Sequence, residues 1–356
     1  MRQNALIALA AATLVAVIGA GYAVHQRASQ LAGTIRAELL LPGLADRLGQ
    51  VEQVELAQGK TVIRLARKGE QWVAPDKADY PVKFETVRRN LVALSDLKTL
   101  EAKTTKSDLH GRLQLDDPKG EGTKAIGFTL KDAKGAVVAD MVVGKRRANL
   151  AGGTDRSYVR KTADSQAWLV EGALDLRMDA AEWLERELVN LPAQRFHEAS
   201  TVQPDGKRLT VRRAKPEDTD YAIVGLPANA KIKSQFTVNA VAGALDGLTL
   251  DDVRAASELE FKPASGWAEF KSPDGLVIKV EIAIQAEKSW VRLSAAYQAP
   301  PVGTASAGEA KTPEQVQDEA KAINTRLGAW AFQLNSYKLE KFQTKLAELL
   351  EDPKAS

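Results

Sequence analysis

FTLKDAKGAVVADMVV (residues 128–143) carries the pattern that decides the fold. Apolar and polar residues alternate on both sides of Asp132–Gly135, which is how two strands with one buried face look in sequence. Gly135 stands where a tight turn needs positive φ, so the stretch predicts an antiparallel hairpin. AEFKSPDGLVIKVEI (268–282) repeats the arrangement around Ser272–Gly275.

Other elements recur in the same order around these two hairpins. VIRLAR (62–67), closed by Trp72, has a counterpart in LTVRR (209–213), closed by Tyr221. FETVRRNLVALSDL (84–97) sets Val87, Leu91, Leu94 and Leu97 at helical spacing, and SQFTVNAVAGALDGL (234–248) answers with Val238, Val241, Leu245 and Leu248. WLVEGALDLRMDAAEWLEREL (168–188) aligns without gaps on WAFQLNSYKLEKFQTKLAELL (330–350) through Trp168/Trp330, Leu184/Leu346 and Leu188/Leu350. Recurrence in one order predicts an internal duplication. The expected fold is α+β: two similar units of antiparallel sheet with packed helices, at 59–200 and 201–356, joined to the N-terminus by a juxtamembrane segment at 25–58. Asp179-Ala180-Ala181-Glu182 is read as the start of the helix that closes the first unit. Thr312-Pro313-Glu314-Gln315 has the spacing of a capping box and predicts a helix with the stripe Val316, Ala320, Ile323 and Leu327. Before it, QAPPVGTASAGEAK (298–311) has no apolar period and reads as a mobile loop.

The N-terminus predicts a membrane location. Ala5–Val24 is an uncharged run of twenty residues preceded by Arg2, and at 1.5 Å per residue it spans about 30 Å, the thickness of a hydrocarbon core. Residues 1–24 are therefore expected to form a transmembrane anchor. Gly21-Tyr22-Ala23 keeps a cleaved signal open as the alternative. The expected location is the bacterial inner membrane, single-pass, with the bulk of the chain periplasmic. Removing residues 1–24 costs one of 49 basic side chains and none of the 46 acidic ones, so the exported surface is electrically balanced and no nucleic-acid partner is expected.

Chemistry is sparse. With no cysteine and three histidines, disulfides, thiolate metal sites and a cysteine nucleophile are excluded. His25, His110 and His197 have no ligand-like spacing, so no metal is predicted. The absence of a Gly-x-Ser-x-Gly elbow speaks against a serine hydrolase. Asp116-Asp117 and Asp251-Asp252 are expected to cap turns or helices rather than act as a glycosidase pair. GKRRANLAGG (144–153) resembles a phosphate loop only in composition, because its basic residues precede any Gly-Lys-Ser/Thr order. Lys145, Arg146 and Arg147 are read as a solvated hairpin end and as the candidate contact for an acidic partner or anionic polymer. Trp72, Trp168, Trp183 and Trp330 fall on apolar stripes or strand ends and are expected in the core. No cofactor is predicted.

Several stretches together resemble the bacterial family called domain of unknown function 4340: Leu41–Leu44, Trp72, Tyr80-Pro81, Glu101–Thr104 and Leu115–Pro118, followed by Gly144, Ser157-Tyr158-Val159-Arg160 and Trp183-Leu184-Glu185-Arg186. The resemblance implies an inner-membrane tether and an association with ABC-type transporter subunits or related auxiliary membrane proteins; it supplies no catalytic residue. The expected function is a non-enzymatic periplasmic accessory or scaffold subunit of an envelope transport system. A carbohydrate- or lipid-binding envelope module and a carboxylate-based hydrolase of envelope polysaccharide are the alternatives.

Overall fold

A computed structural model describes residues 38–148, 153–215, 217–262, 265–300 and 311–351. Contacts divide the chain into two units that are discontinuous in sequence. One takes residues up to Val62 together with Arg88–Met178; the other takes Ile63–Val87 and Asp179–Ser356. The sequence pattern divides the chain at 200/201, whereas contacts assign 63–87 and 179–200 to the C-terminal unit.

In chain order the first elements are a one-turn helix α1 (Leu44–Arg47) and strand β1 (Gln53–Gln58). A ribbon follows, made of β2 (Thr61–Lys68), β3 (Gln71–Ala74) and β4 (Tyr80–Pro81), and then helix α2 (Phe84–Ser95). Strands β5 (Lys98–Ala102), β6 (Ile126–Lys131), β7 (Val137–Arg147), β8 (Arg156–Lys161) and β9 (Ala167–Glu171) complete the first unit. There the order across the sheet is β1-β6-β7-β8-β9-β5, every pairing antiparallel. The 128–143 hairpin is β6 and β7: Asp132 Oδ1 accepts from the amides of Lys134 and Ala136, both at 2.8 Å, and so fixes the turn. Phe128, Leu130, Met141 and Val143 turn inward, as the alternation requires.

The second unit contains β10 (Glu187–Val189), β11 (Glu198–Val202), β12 (Arg208–Arg212), β13 (Ala222–Ile223), helix α3 (Gln235–Ala242), β14 (Leu248–Thr249) and β15 (Asp252–Ala255). These are followed by β16 (Trp267–Lys271), β17 (Leu276–Gln285), β18 (Lys288–Tyr297), helix α4 (Pro313–Leu327), β19 (Trp330–Gln333) and helices α5 (Ser336–Phe342) and α6 (Leu346–Leu349). Its main sheet runs β13-β12-β11-β16-β17-β18-β19-β15, and β10 pairs with β14 separately. The six-strand order of the first unit thus recurs as β11-β16-β17-β18-β19-β15. Matching backbone bonds mark equivalent positions: Glu52 N–H donates to the Lys131 carbonyl, and His197 N–H to the Lys271 carbonyl, each at 2.9 Å.

α4 begins as the capping box predicts, with Thr312 accepting from Gln315 N–H and Gln315 accepting from Thr312 N–H. Val316, Ala320, Ile323 and Leu327 are its buried stripe. Asn324 bridges the helix to β18, its Oδ1 accepting from Ala295 N–H at 2.8 Å and its Nδ2 donating to the Ala295 carbonyl at 2.7 Å.

The α+β expectation is corrected by this architecture, which is mostly antiparallel sheet with short helices. The clearest misreading is at residue 179. Asp179 does cap, accepting from Ala181 N–H at 3.0 Å, but the helix ends after one 3-10 turn at Ala180–Trp183. Leu184 is already extended, because Lys83 N–H takes the Trp183 carbonyl and Glu185 N–H takes the Pro81 carbonyl, in place of bonds four residues along a helix. Among the described residues no helix is long and apolar enough to cross a membrane. The segment 5–24 itself, and residues 301–310 of the expected mobile loop, lie outside the described residues.

Candidate functional site

Lys145, Arg146 and Arg147 are exposed, as expected, but they form the end of the long strand β7 rather than a loop. Arg146 Nε donates to Asp155 Oδ2 at 2.9 Å and Arg147 Nη1 reaches the Tyr158 hydroxyl at 3.4 Å. Two of the three cations therefore brace their own hairpin, and residues 149–152 of the GKRRANLAGG stretch lie outside the described residues.

The other sequence candidates are tied into local structure. His110 is buried, with Nε2 2.9 Å from the Ser165 carbonyl. Asp117 accepts from Lys119 N–H at 2.9 Å in a turn. Asp251 lies 3.5 Å from Arg186, and Asp252 pairs with Lys77 at 2.5 Å. Among the described residues no group of three or more His, Cys, Asp or Glu could hold a metal ion. Trp72, Trp183 and Trp290 are buried, while Trp330 donates from Nε1 to the Ala78 carbonyl at 2.9 Å. Trp267 lies beneath Arg208 and Lys279, whose charged ends stand 4.9 and 5.6 Å from its ring centroid.

Concave sites emerge in the second unit that the sequence did not single out. The first is a groove of about 570 Å³ between α3 and α5–α6. Phe236, in the first turn of α3, is 75% exposed, and Tyr337, in the first turn of α5, is 58% exposed. Ser234 and Asn335 cap the two helices through their side chains and so fix where these aromatics leave the surface. Ala240 and Pro204 line the groove along with Glu340, Lys345 and Glu348, and Lys341 places its ammonium 4.6 Å from the Tyr337 ring centroid. Gln203 and Thr201 anchor the far wall by donating to the Thr344 carbonyl at 3.1 and 2.7 Å. On the other side of α3 a further concavity of about 770 Å³ is lined by Leu226, Ala230 and Ile232, with Val224 and Leu226 also exposed. Helix α3 thus has a hollow on each side, with Phe236 exposed at one of them.

The second site is polar, about 360 Å³, where the ends of β11, β12 and β16 meet the start of β17. Glu198 lies opposite both Arg212 and Lys271 in the sheet. Its carboxylate takes a 2.7 Å bond from Arg212 Nε and lies 3.3 Å from Lys271 Nζ. Burial works to raise the Glu198 pKa, but the hydrogen bonds and charge of Arg212, with those of Lys271, hold it below the ordinary value. Beside it, burial pushes the His197 imidazole below its ordinary pKa, aided by Arg212 and Arg213 and opposed by Glu198 and a backbone bond at Lys271. His197 Nδ1 is buried with no hydrogen-bond partner among the described residues.

These hollows lie on the second unit of an antiparallel-sheet fold. The chain belongs to the family described as Domain of unknown function (DUF4340), whose model matches residues 72–265, more than half of its length. No curated protein and no solved structure matches it.

Proposed function

We propose that this protein acts by contact rather than catalysis, as a membrane-tethered periplasmic accessory protein that docks another protein on the α3–α5 groove. The exposure of Phe236 and Tyr337 on one rim-and-hollow surface carries the reading. Aromatic side chains are costly to leave in water and are enriched at the centres of protein interfaces, where a hollow beside each ring receives a partner's side chain. The concavity on the other side of α3, lined in part by Leu226, Ala230 and Ile232, adds apolar surface beside it. A tether at residues 5–24 would keep this face at high local concentration near a membrane partner, so that a modest interface suffices. Subunits of an ABC-type envelope transporter are the partners to which the family resemblance points.

In-cell cross-linking of the tagged full-length chain, followed by mass spectrometry of membrane extracts, tests the proposal. The comparison is with a form lacking residues 1–24 but exported by another signal, and with the full chain bearing Phe236→Ser and Tyr337→Ser. Transporter subunits recovered with the full chain and lost with both altered forms are the expected result. Recovery undiminished by the double substitution would remove the groove from the account, and recovery of no membrane protein above the untethered form would end the accessory reading.

A further inference from the structure

The polar pocket around His197 is not required by the fold. In the first unit, the positions equivalent by backbone bonding are Glu52 for His197, Gln53 for Glu198 and Lys131 for Lys271, with Asp132–Gly135 standing for Ser272–Gly275. That unit builds the same hairpin junction with Glu52 in place of the histidine and with the uncharged Gln53 in place of Glu198. Withdrawing charges from water is unfavourable unless something is gained, so the cluster in the second unit calls for a role beyond the hairpin.

Its donors point to that role. Two cations face one carboxylate across the pocket. Arg212, whose side chain is 53% exposed, uses Nε and Nη2 on Glu198, and its Nη1 has no partner among the described residues. Lys271 shares its ammonium between Glu198 and Glu269 at 3.3 and 3.1 Å, which leaves one of its three N–H bonds unassigned. His197 Nδ1 is the third group, buried and unpartnered. The remaining acid on the turn, Asp274, is engaged by Ser272 and by Arg195, the latter at 2.7 Å. Gly275, with φ of 95°, brings the turn against the Gln298 carbonyl and the Tyr297 ring, so a side chain there would close this end of the pocket.

We infer that the pocket binds a small phosphate-type oxyanion, free or as the headgroup of a lipid, between Arg212, Lys271 and His197. Donors approaching from three strand ends suit a tetrahedral group with three terminal oxygens better than a planar carboxylate. The anion would also answer the imidazole: its charge offsets the Arg212 and Arg213 fields, so Nδ1 takes up a proton and donates to the bound oxygen. Binding then tightens as pH falls, and the groups facing the imidazole that set this response are Glu198, Arg212, Arg213 and Lys271.

The test is a proton NMR titration of the full-length protein, following the imidazole signal assigned by loss in His197→Gln, with His110 in the first unit as internal reference. Inorganic phosphate is added in one arm, and vesicles with and without phosphatidic acid in the other. A saturable upward shift of the His197 pKa, with His110 unmoved, is expected in one arm or both, and the responding arm identifies the source. Lys271→Gln, which leaves the Arg212–Glu198 pair intact, should weaken binding about tenfold, the effect of one charge-assisted hydrogen bond. Absence of a shift in both arms, or equal shifts of His110 and His197, would overturn the inference.

Discussion

Tyr80 stands edge-on to Trp330, their ring centroids 5.1 Å apart and their planes at 85°. Two residues earlier, the Ala78 carbonyl accepts from Trp330 Nε1, and the Tyr80 hydroxyl donates to the Glu185 carbonyl at 3.0 Å. Phe332 adds a second edge contact at 5.8 Å. The 63–87 segment is thus bound into the second unit by a polar and aromatic clasp between residues 252 apart in sequence, and Tyr80 of the Tyr80-Pro81 pair has a packing role.

Replacing Tyr80, 2% exposed, should therefore destabilise the C-terminal unit. Tyr80→Ala is expected to cost about 3–5 kcal/mol through the cavity it leaves, and Tyr80→Phe about 1 kcal/mol through loss of the hydroxyl bond. Denaturant unfolding followed by tryptophan fluorescence measures both.

The same burial pushes the Tyr80 phenol up to about 12. Folding favours the protonated phenol, so its contribution is complete below pH 10 and is lost as pH rises from 10 towards 12. Tyr80→Phe should flatten the alkaline part of the stability profile in that window. An unchanged alkaline profile would show that the phenol is not held as described.

Acid acts on the polar pocket in two windows. His197 is held below 6.5, so the unfolded chain takes up its proton first, and the stability present above pH 6.5 is lost as pH falls through the folded value. Glu198 is held below 4.5, and its contribution, present above that pH, is lost as pH falls through its own lowered value. In denaturation midpoints measured from pH 7.5 to 3, His197→Gln should flatten the upper window and Glu198→Gln the lower.

Gly144 carries a constraint of close approach. A Cβ there would press into the Leu113 carbonyl and sit 2.7 Å from the Gln114 carbonyl, where the loop crosses β7. Gly144→Ala is expected to cost about 1–3 kcal/mol by overpacking, visible as a lowered melting temperature of the first unit.

Asn324 serves as a surrogate strand partner for Ala295, since β19 is paired to β18 only at Val291 and Phe332. Asn324→Ala should cost about 1–2 kcal/mol and speed amide exchange at Ala295.

What the sequence could disclose follows from range. The Asp132–Gly135 and Ser272–Gly275 turns, the Thr312 capping box and the Val316–Leu327 stripe depend on neighbours within a few residues, and each appears where the pattern puts it. Asp179 shows the limit: the same cap suits one turn or five, and the distant Pro81 and Lys83 backbone decides. Migration of residues 63–87 rests on Trp330, which no local pattern links to Ala78. The sites were hidden for related reasons. Phe236 and Tyr337 lie off the apolar stripes by which a helix is recognised, so their exposure emerges only once the buried faces are known. The His197 pocket is assembled from strand ends as far apart as Glu198 and Lys271, with no spacing to mark it.

Site-specific photo-cross-linking addresses the docking claim most directly. A photoreactive amino acid is placed at position 236 in the full-length chain and, as a control, at Val137, a comparably exposed apolar position in the first unit, 58% exposed. The account predicts a discrete adduct with one membrane-associated protein from position 236, abolished by Tyr337→Ser and absent from position 137. Identical adduct patterns from the two positions, or none from 236, would contradict it.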